Sequence, residues 1–174
     1  AIAERLTFES WLTFNLDINP PEVENGTWIE TDLSDPEAIR AGFDKVRNAG
    51  PITGLVNNAA VALVDRLEDA SLDDFEQTIT INLRAPMICS QAVIEEMKIE
   101  GFGRIVNISS RAMLGKTHRT TYGASKGGIA AMSRVWALEL AQYGITVNTI
   151  APGPIATDMF THANPIDMPR TQEI

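Results

Sequence analysis

From Gly103 to Ser109 the chain sets Ile105 beside Val106 with Ile108 close behind, an apolar strand of the kind found in a sheet covered on both faces. Such sheets are parallel, and parallel strands need crossover connections, so helical periodicity has to alternate with short β-favouring runs. The remaining sequence has this alternation. Trp11 to Asp17 and Thr27 to Thr31 read as strands, joined through Asn19, Pro20, Pro21 and Asn25-Gly26, which supply turn chemistry and little room for a helix. Ser34 and Glu37 form a capping-box pattern around Pro36, and Ile39, Phe43 and Val46 recur at helical spacing until Gly50-Pro51, which predicts a helix from about Pro36 to Ala49. Ile52 to Asn57 is a short strand. Ser71 with Asp74 opens a helix carrying Phe75, Ile79 and Leu83, continued by a core or interface stripe at Met87, Ile94 and Met97, and Pro86 bends or divides it. Tyr122 to Gln142 is helical, Ile145 to Ala151 is a strand, and Pro152-Gly153-Pro154 ends it. The pattern predicts one α/β domain around a parallel sheet, with ligands gathered at the carboxyl ends of the strands.

Composition narrows the partners. Twenty-three acidic against fourteen basic residues in 174 give a formal charge of −9, a field that disfavours nucleic acid and anionic lipid. The single cysteine, Cys89, cannot form an internal disulfide or a thiolate metal cluster; it reads as a buried small side chain and points to a reducing, cytoplasmic setting. No stretch approaches the roughly 20 apolar residues of a membrane span, and no signal peptide is visible.

Several strand ends carry chemistry-bearing residues. Asp17 closes the first strand, as a ribose-binding carboxylate or equally as a turn acid. Asn57-Asn58-Ala59-Ala60 follows a strand with small residues that permit close backbone approach and two amides able to bond the backbone of neighbouring strands. Tyr122 and Lys126 are four apart and so share a helix face. Other features read as ordinary surface. Asp65, Glu68, Asp69, Asp73 and Asp74 form a solvated acidic helix start, and Arg111 and Arg119 are surface arginines before they are anion readers. His118 and His162 lie in loops without a metal-ligand pattern, His118 within possible reach of a substrate.

Taken in chain order, Asn57-Asn58-Ala59-Ala60, Asn82-Leu83, Asn107-Ile108-Ser109-Ser110, Tyr122-Gly123-Ala124-Ser125-Lys126-Gly127-Gly128 and Pro152-Gly153-Pro154-Ile155-Ala156-Thr157 resemble the single-domain short-chain dehydrogenase/reductase family. The resemblance covers nearly all of residues 1 to 160 and implies a doubly wound, Rossmann-like sheet. It makes Tyr122 the general acid/base, passing a proton to or from a substrate oxygen during hydride transfer. A free phenol titrates near 10, and bringing it toward neutrality takes roughly 4 kcal/mol, for which Lys126 is the evident source. By the same resemblance Lys126 holds the nicotinamide ribose, Ser110 bonds the substrate oxygen and Asn82 completes a water relay to Lys126. The Ser110 to Tyr122 interval is one residue shorter than the common family spacing, which leaves Ser109 as the fallback. Resemblance further assigns Asp17 to the adenosine ribose, Asp32 and Leu33 to adenine, Asn58 to the cofactor pocket and Ile155 to the nicotinamide carboxamide, with Pro152, Gly153 and Thr157 in the same cofactor-binding loop.

These residues imply an NAD-dependent oxidoreductase interconverting a secondary alcohol and a ketone, working without a metal as a homotetramer or homodimer. NADP is the weaker cofactor reading, since Asn15, Leu16, Ile18 and Asn19 around Asp17 are uncharged. A catalytically silent binding or scaffold protein is the other reading. The family's first strand, its glycine-rich loop and its last strand have no counterpart in the sequence, so the expectation is one domain over residues 1–174 with terminal segments omitted.

Overall fold

The structure, a computed structural model, describes residues 1–23 and 26–155. Its strands are β1 (Phe14–Asp17), β2 (Thr27–Glu30), β3 (Gly54–Asn57), β4 (Gly103–Ile108) and β5 (Ile145–Ile150). The helices are α1 (Ile2–Phe8), α2 (Pro36–Arg47), α3 (Leu72–Ile79), α4 (Ala85–Glu100) and α5 (Thr120–Leu140). Among the described residues every strand pairing is parallel, β1 with β2, β3 with β4 and β4 with β5, and helices connect β2 to β3, β3 to β4 and β4 to β5. The α/β class and the parallel sheet agree with the sequence periodicity, and the described residues linking β1 to β2 form no helix.

Two starts differ from the sequence reading. Helix α2 is capped by Asp35, whose carboxylate accepts the Glu37 N–H at 2.9 Å, instead of Ser34. Pro36 takes the first helical position, where its fixed φ and missing N–H are harmless, and this sets the cap one residue before it. Pro86 likewise falls in the first turn of α4, and the break between α3 and α4 is a π-helical turn, Thr80–Arg84, in which the Ala85 N–H reaches back to the Thr80 carbonyl. Ser71 caps α3 as its spacing predicts, accepting the Asp74 N–H at 3.0 Å.

Ile39, Val93, Met97 and Ile105 are fully buried and centre the core, in which α4 packs on β3 and β4 and against α2. The stripe on α4 is narrower than predicted: Met97 is buried and Ile94 packs against the core, but Met87 is exposed. Strand β4 also departs from even cover. Ile105 and Asn107 are buried while Val106 and Ile108 are half-buried, because Val106 borders a cleft. Cys89 is buried as expected, and desolvation pushes its thiol up to about 12, leaving it protonated and unreactive.

That cleft, of about 1270 Å3, lies between the β1-β2 pair and the β3-β4-β5 sheet, lined by Leu16 and Asp17 on one side and Val56 and Asn57 on the other. Among the described residues no strand bridges β1 to β3. No helix among them is long and apolar enough to cross a membrane.

The turn into β5 depends on a glycine. Gly144 has φ +72°, and a Cβ there would sit 2.2 Å from the Gly101 carbonyl oxygen. Gly144→Ala is expected to lower the unfolding free energy by about 1–3 kcal/mol, read as a lower urea midpoint with an unchanged slope.

Candidate active site

The carboxyl end of β4 and the first turns of α5 bring together Ser109, Ser110, Tyr122 and Lys126. Helix α5 packs on β5, on β4 and on a 3-10 turn formed by Arg111–Leu114, so the residues leaving β4 lie against the helix start. Gly123 allows this approach, since a Cβ there would already stand 3.2 Å from the Ala112 carbonyl. Tyr122 and Lys126 project from one face, the ammonium 5.7 Å from the phenol ring centre. The lysine is almost wholly buried, and its Nζ donates to the Ile108 carbonyl at 2.7 Å. Burial lowers its pKa from 10.5 to about 8. Tyr122 is half-buried.

The two serines that follow β4 have different surroundings. Ser109 is buried, and its hydroxyl donates to the Lys126 carbonyl at 2.6 Å, clamping α5 to the strand end. Ser110 is half-buried; its Oγ accepts the Ala112 N–H at 3.2 Å as the cap of the 3-10 turn, which leaves its own proton to donate. Asn82 sits in the π-helical turn, buried. Its amide bonds both main-chain groups of Val61 at 2.8 Å and donates to Ser125 Oγ at 3.1 Å. Its side chain is thereby committed to the backbone of the loop after β3. Its main-chain carbonyl is the α-helical partner of residue 86, a proline with no N–H to give.

Of the residues assigned to the cofactor, Asp17, Leu33, Asn58 and Ile155 line the 1270 Å3 cleft together. Asp17 is exposed at the end of β1 and accepts the Asn19 N–H at 2.9 Å, while β2 places Glu30 beside it in register. Asp32 is not part of the cleft lining. Hydrogen bonding from Ser34 occupies its carboxylate and lowers its pKa. Pro152 accepts the Arg111 N–H at 3.0 Å and Gly153 lies against the Arg111 side chain, tying the loop after β5 to the 3-10 turn. Ser110, Tyr122 and Lys126 do not line the cleft, and Thr157 and His162 fall outside the described residues.

Three sequence readings are corrected. The Asn57 amide does not bond a neighbouring strand's backbone: its Nδ2 donates to Asn107 Oδ1 at 2.7 Å, and Asn107 donates to Ser133, a polar chain through the core. Asp65 is no solvated acid; it is 5% exposed, and its carboxylate accepts the Thr121 N–H. Arg119, read as a surface arginine, is 7% exposed and stands at the start of α5. The acids around Asp65 mask its separate position, and the one local signal is the absence of a capping side chain before Thr120. No group of three or more His, Cys, Asp or Glu able to hold a metal occurs among the described residues.

Comparison with known proteins accords with this geometry. The sequence pattern of the family described as short chain dehydrogenase matches residues 21–167. The chain belongs to the short-chain dehydrogenase family. A curated relative, (2S)-[(R)-hydroxy(phenyl)methyl]succinyl-CoA dehydrogenase subunit BbsD of Thauera aromatica, is 45% identical over 111 residues, covering 64% of this chain and 45% of the relative. Among solved short-chain dehydrogenase structures, NAD+-bound xylitol dehydrogenase is similar with TM-score 0.71 and 36% identity, covering 74% of this chain and 51% of that one. ElxO with NADP bound is similar with TM-score 0.75 and 30% identity, covering 79% and 57%. The chain spans about half the length of the curated relatives it matches.

The fall of the Lys126 pKa from 10.5 to about 8 corresponds to about 3 kcal/mol against folding with the lysine charged. Lys126→Met is therefore expected to stabilise the fold near neutral pH by up to about 3 kcal/mol, less the lost bond to Ile108. The folded-state pKa lies below the unfolded one, so the penalty is complete below about 8 and fades as pH rises toward 10.5. Urea titrations across that window should show the gap between variant and wild type closing.

Proposed function

We propose that the chain is part of an NAD-dependent oxidoreductase that interconverts a secondary alcohol and a ketone. The observation that carries this reading is the Tyr122 phenol sharing a helix face with a buried ammonium, 5.7 Å from its ring.

The residues fit a dinucleotide: Asp17 ends β1, Leu33, Asn58 and Ile155 follow β2, β3 and β5, and all four line one cleft. A bound nicotinamide supplies the acceptor or donor of hydride. Tyr122 Oη takes the alcohol proton during oxidation and returns it to the carbonyl oxygen during reduction. Ser110 donates its hydroxyl proton to the substrate oxygen as negative charge develops there; its half-exposed position supports this over the buried Ser109. Lys126 sets its ammonium beside the tyrosine and bonds the ribose. The proton leaves through Lys126, whose ammonium passes one proton to water as it takes up another, with the main-chain carbonyl of Asn82 as the acceptor that anchors that water. Asn82 serves through that carbonyl because its amide is committed to Val61.

Asp17, on the cleft at the end of β1, can accept ribose hydroxyls, and Glu30, in register beside it, adds a second negative charge that repels a 2′-phosphate. This pair supports NAD over NADP. The apolar side chains left exposed at Met87, Val135 and Leu138 support a homo-oligomer built on α4 and α5, and the buried, unreactive Cys89 suits a cytoplasmic setting.

With NAD and a panel of secondary alcohols, the purified protein is expected to generate NADH, and Tyr122→Phe to abolish it; wild-type protein that turns over nothing in the panel contradicts the reading. Asp17→Ser is expected to narrow the preference for NADH over NADPH by about tenfold or more, equivalent to about 1.4 kcal/mol, in coenzyme-binding titrations. Tighter binding of NADPH by the wild type would overturn the cofactor assignment.

A further inference from the structure

Helix α5 begins without a cap of its own. The residue in the capping position is Arg119, whose side chain offers no acceptor and makes no capping hydrogen bond. The acceptor comes from far away in sequence. Asp65, in the loop between β3 and α3, receives the Thr121 N–H on both carboxylate oxygens, at 3.2 and 3.4 Å. A parallel backbone bridge between Asp65 and Arg119 fixes the loop against the helix start. Thr121 is 1% exposed, so with Asp65 in place bulk water does not reach it and the carboxylate is the acceptor its N–H has.

We infer that Asp65 is the positioning residue of Tyr122, capping the catalytic helix from outside it; the inference rests on the role given to Tyr122 above. Tyr122 follows Thr121 directly. On its other side the tyrosine's own carbonyl accepts the Ser125 hydroxyl at 2.8 Å, and Ser125 is held in turn by Asn82. Asn82 also grips Val61, four residues before Asp65 in the same loop. One loop therefore holds the tyrosine backbone at both ends, through Asp65 at the Thr121 N–H and through Asn82 and Ser125 at the Tyr122 carbonyl. Asp65 touches neither the reacting groups nor the cleft, so its effect passes through the placement of the phenol. Removing the carboxylate leaves a buried N–H unpaired and frees the first turn to shift, and a displacement of about 1 Å can cost a reaction about 100-fold.

The test compares Asp65→Ala, Asp65→Glu and Asp65→Asn in the purified full-length protein by steady-state kinetics and amide hydrogen exchange. Asp65→Ala is expected to lower kcat by about 10- to 100-fold with the KM for coenzyme changed less than about threefold, and to speed exchange at Thr121 to Gly123 but not in α2 or α4. Asp65→Glu, which moves the carboxylate by one methylene, is expected to lower kcat by at least about fivefold, and it decides the matter should the alanine variant fail to fold. Asp65→Asn keeps a carbonyl acceptor and is expected to recover kcat to within about threefold of wild type. Wild-type kcat in both the alanine and glutamate variants overturns the inference, as does a loss of thermal stability with kcat per folded molecule unchanged. Failure of the catalytic reading looks different: the wild type itself then shows no turnover that Tyr122→Phe removes, while the exchange measurements still report whether Asp65 caps α5.

Discussion

A reciprocal pair of hydrogen bonds joins the end of β4 to α5, and the candidate site is built on it. The Lys126 ammonium donates to the Ile108 carbonyl, and the Ser109 hydroxyl donates to the Lys126 carbonyl, so strand end and helix hold each other at two points. Each bond stabilises the fold modestly by itself. Together they decide where the lysine lies: nearly dry, close to the tyrosine one turn earlier, and carrying a charge that burial makes costly. In the role proposed for Lys126 that same charge serves the chemistry, so stability and function pull in opposite directions at this one side chain.

Around this joint the polar core acts as scaffolding. Asn57, Asn107 and Ser133 form a hydrogen-bonded line from β3 through β4 to α5, with Ser90 of α4 also on Asn57, so the helices that flank the site are registered to the strands by directional bonds as well as by packing. The π-helical turn gives Asn82 its place. In a regular helix running through Pro86 the ring would clash with the preceding turn. The extra residue of the π turn absorbs that clash and sets the Asn82 amide against Val61.

Much of this was legible in the sequence because it depends on local rules. Strand β4 is a run of branched apolar residues, α2 announces itself through Ile39, Phe43 and Val46, and the four-residue interval from Tyr122 to Lys126 places both on one face of any helix. Where two local rules competed, the reading slipped: Ser34 has the spacing of a cap, but the preference of Pro36 for the first helical position moved the cap to Asp35. The failure at Asp65 was of another kind. In sequence it is one acid among several, and no local pattern shows that its partner lies 56 residues away.

The sequence by itself determined the alternation of elements, the parallel sheet and the identity of the residues able to carry chemistry, since periodicity, turn residues and side-chain type act over a few positions. Only the tertiary structure decided which serine is accessible, that the Asn82 amide is spent on Val61, that Glu30 stands beside Asp17, and that a buried aspartate caps the helix bearing Tyr122. Those outcomes depend on which groups lose contact with water and what they meet instead, and both are settled when distant segments pack.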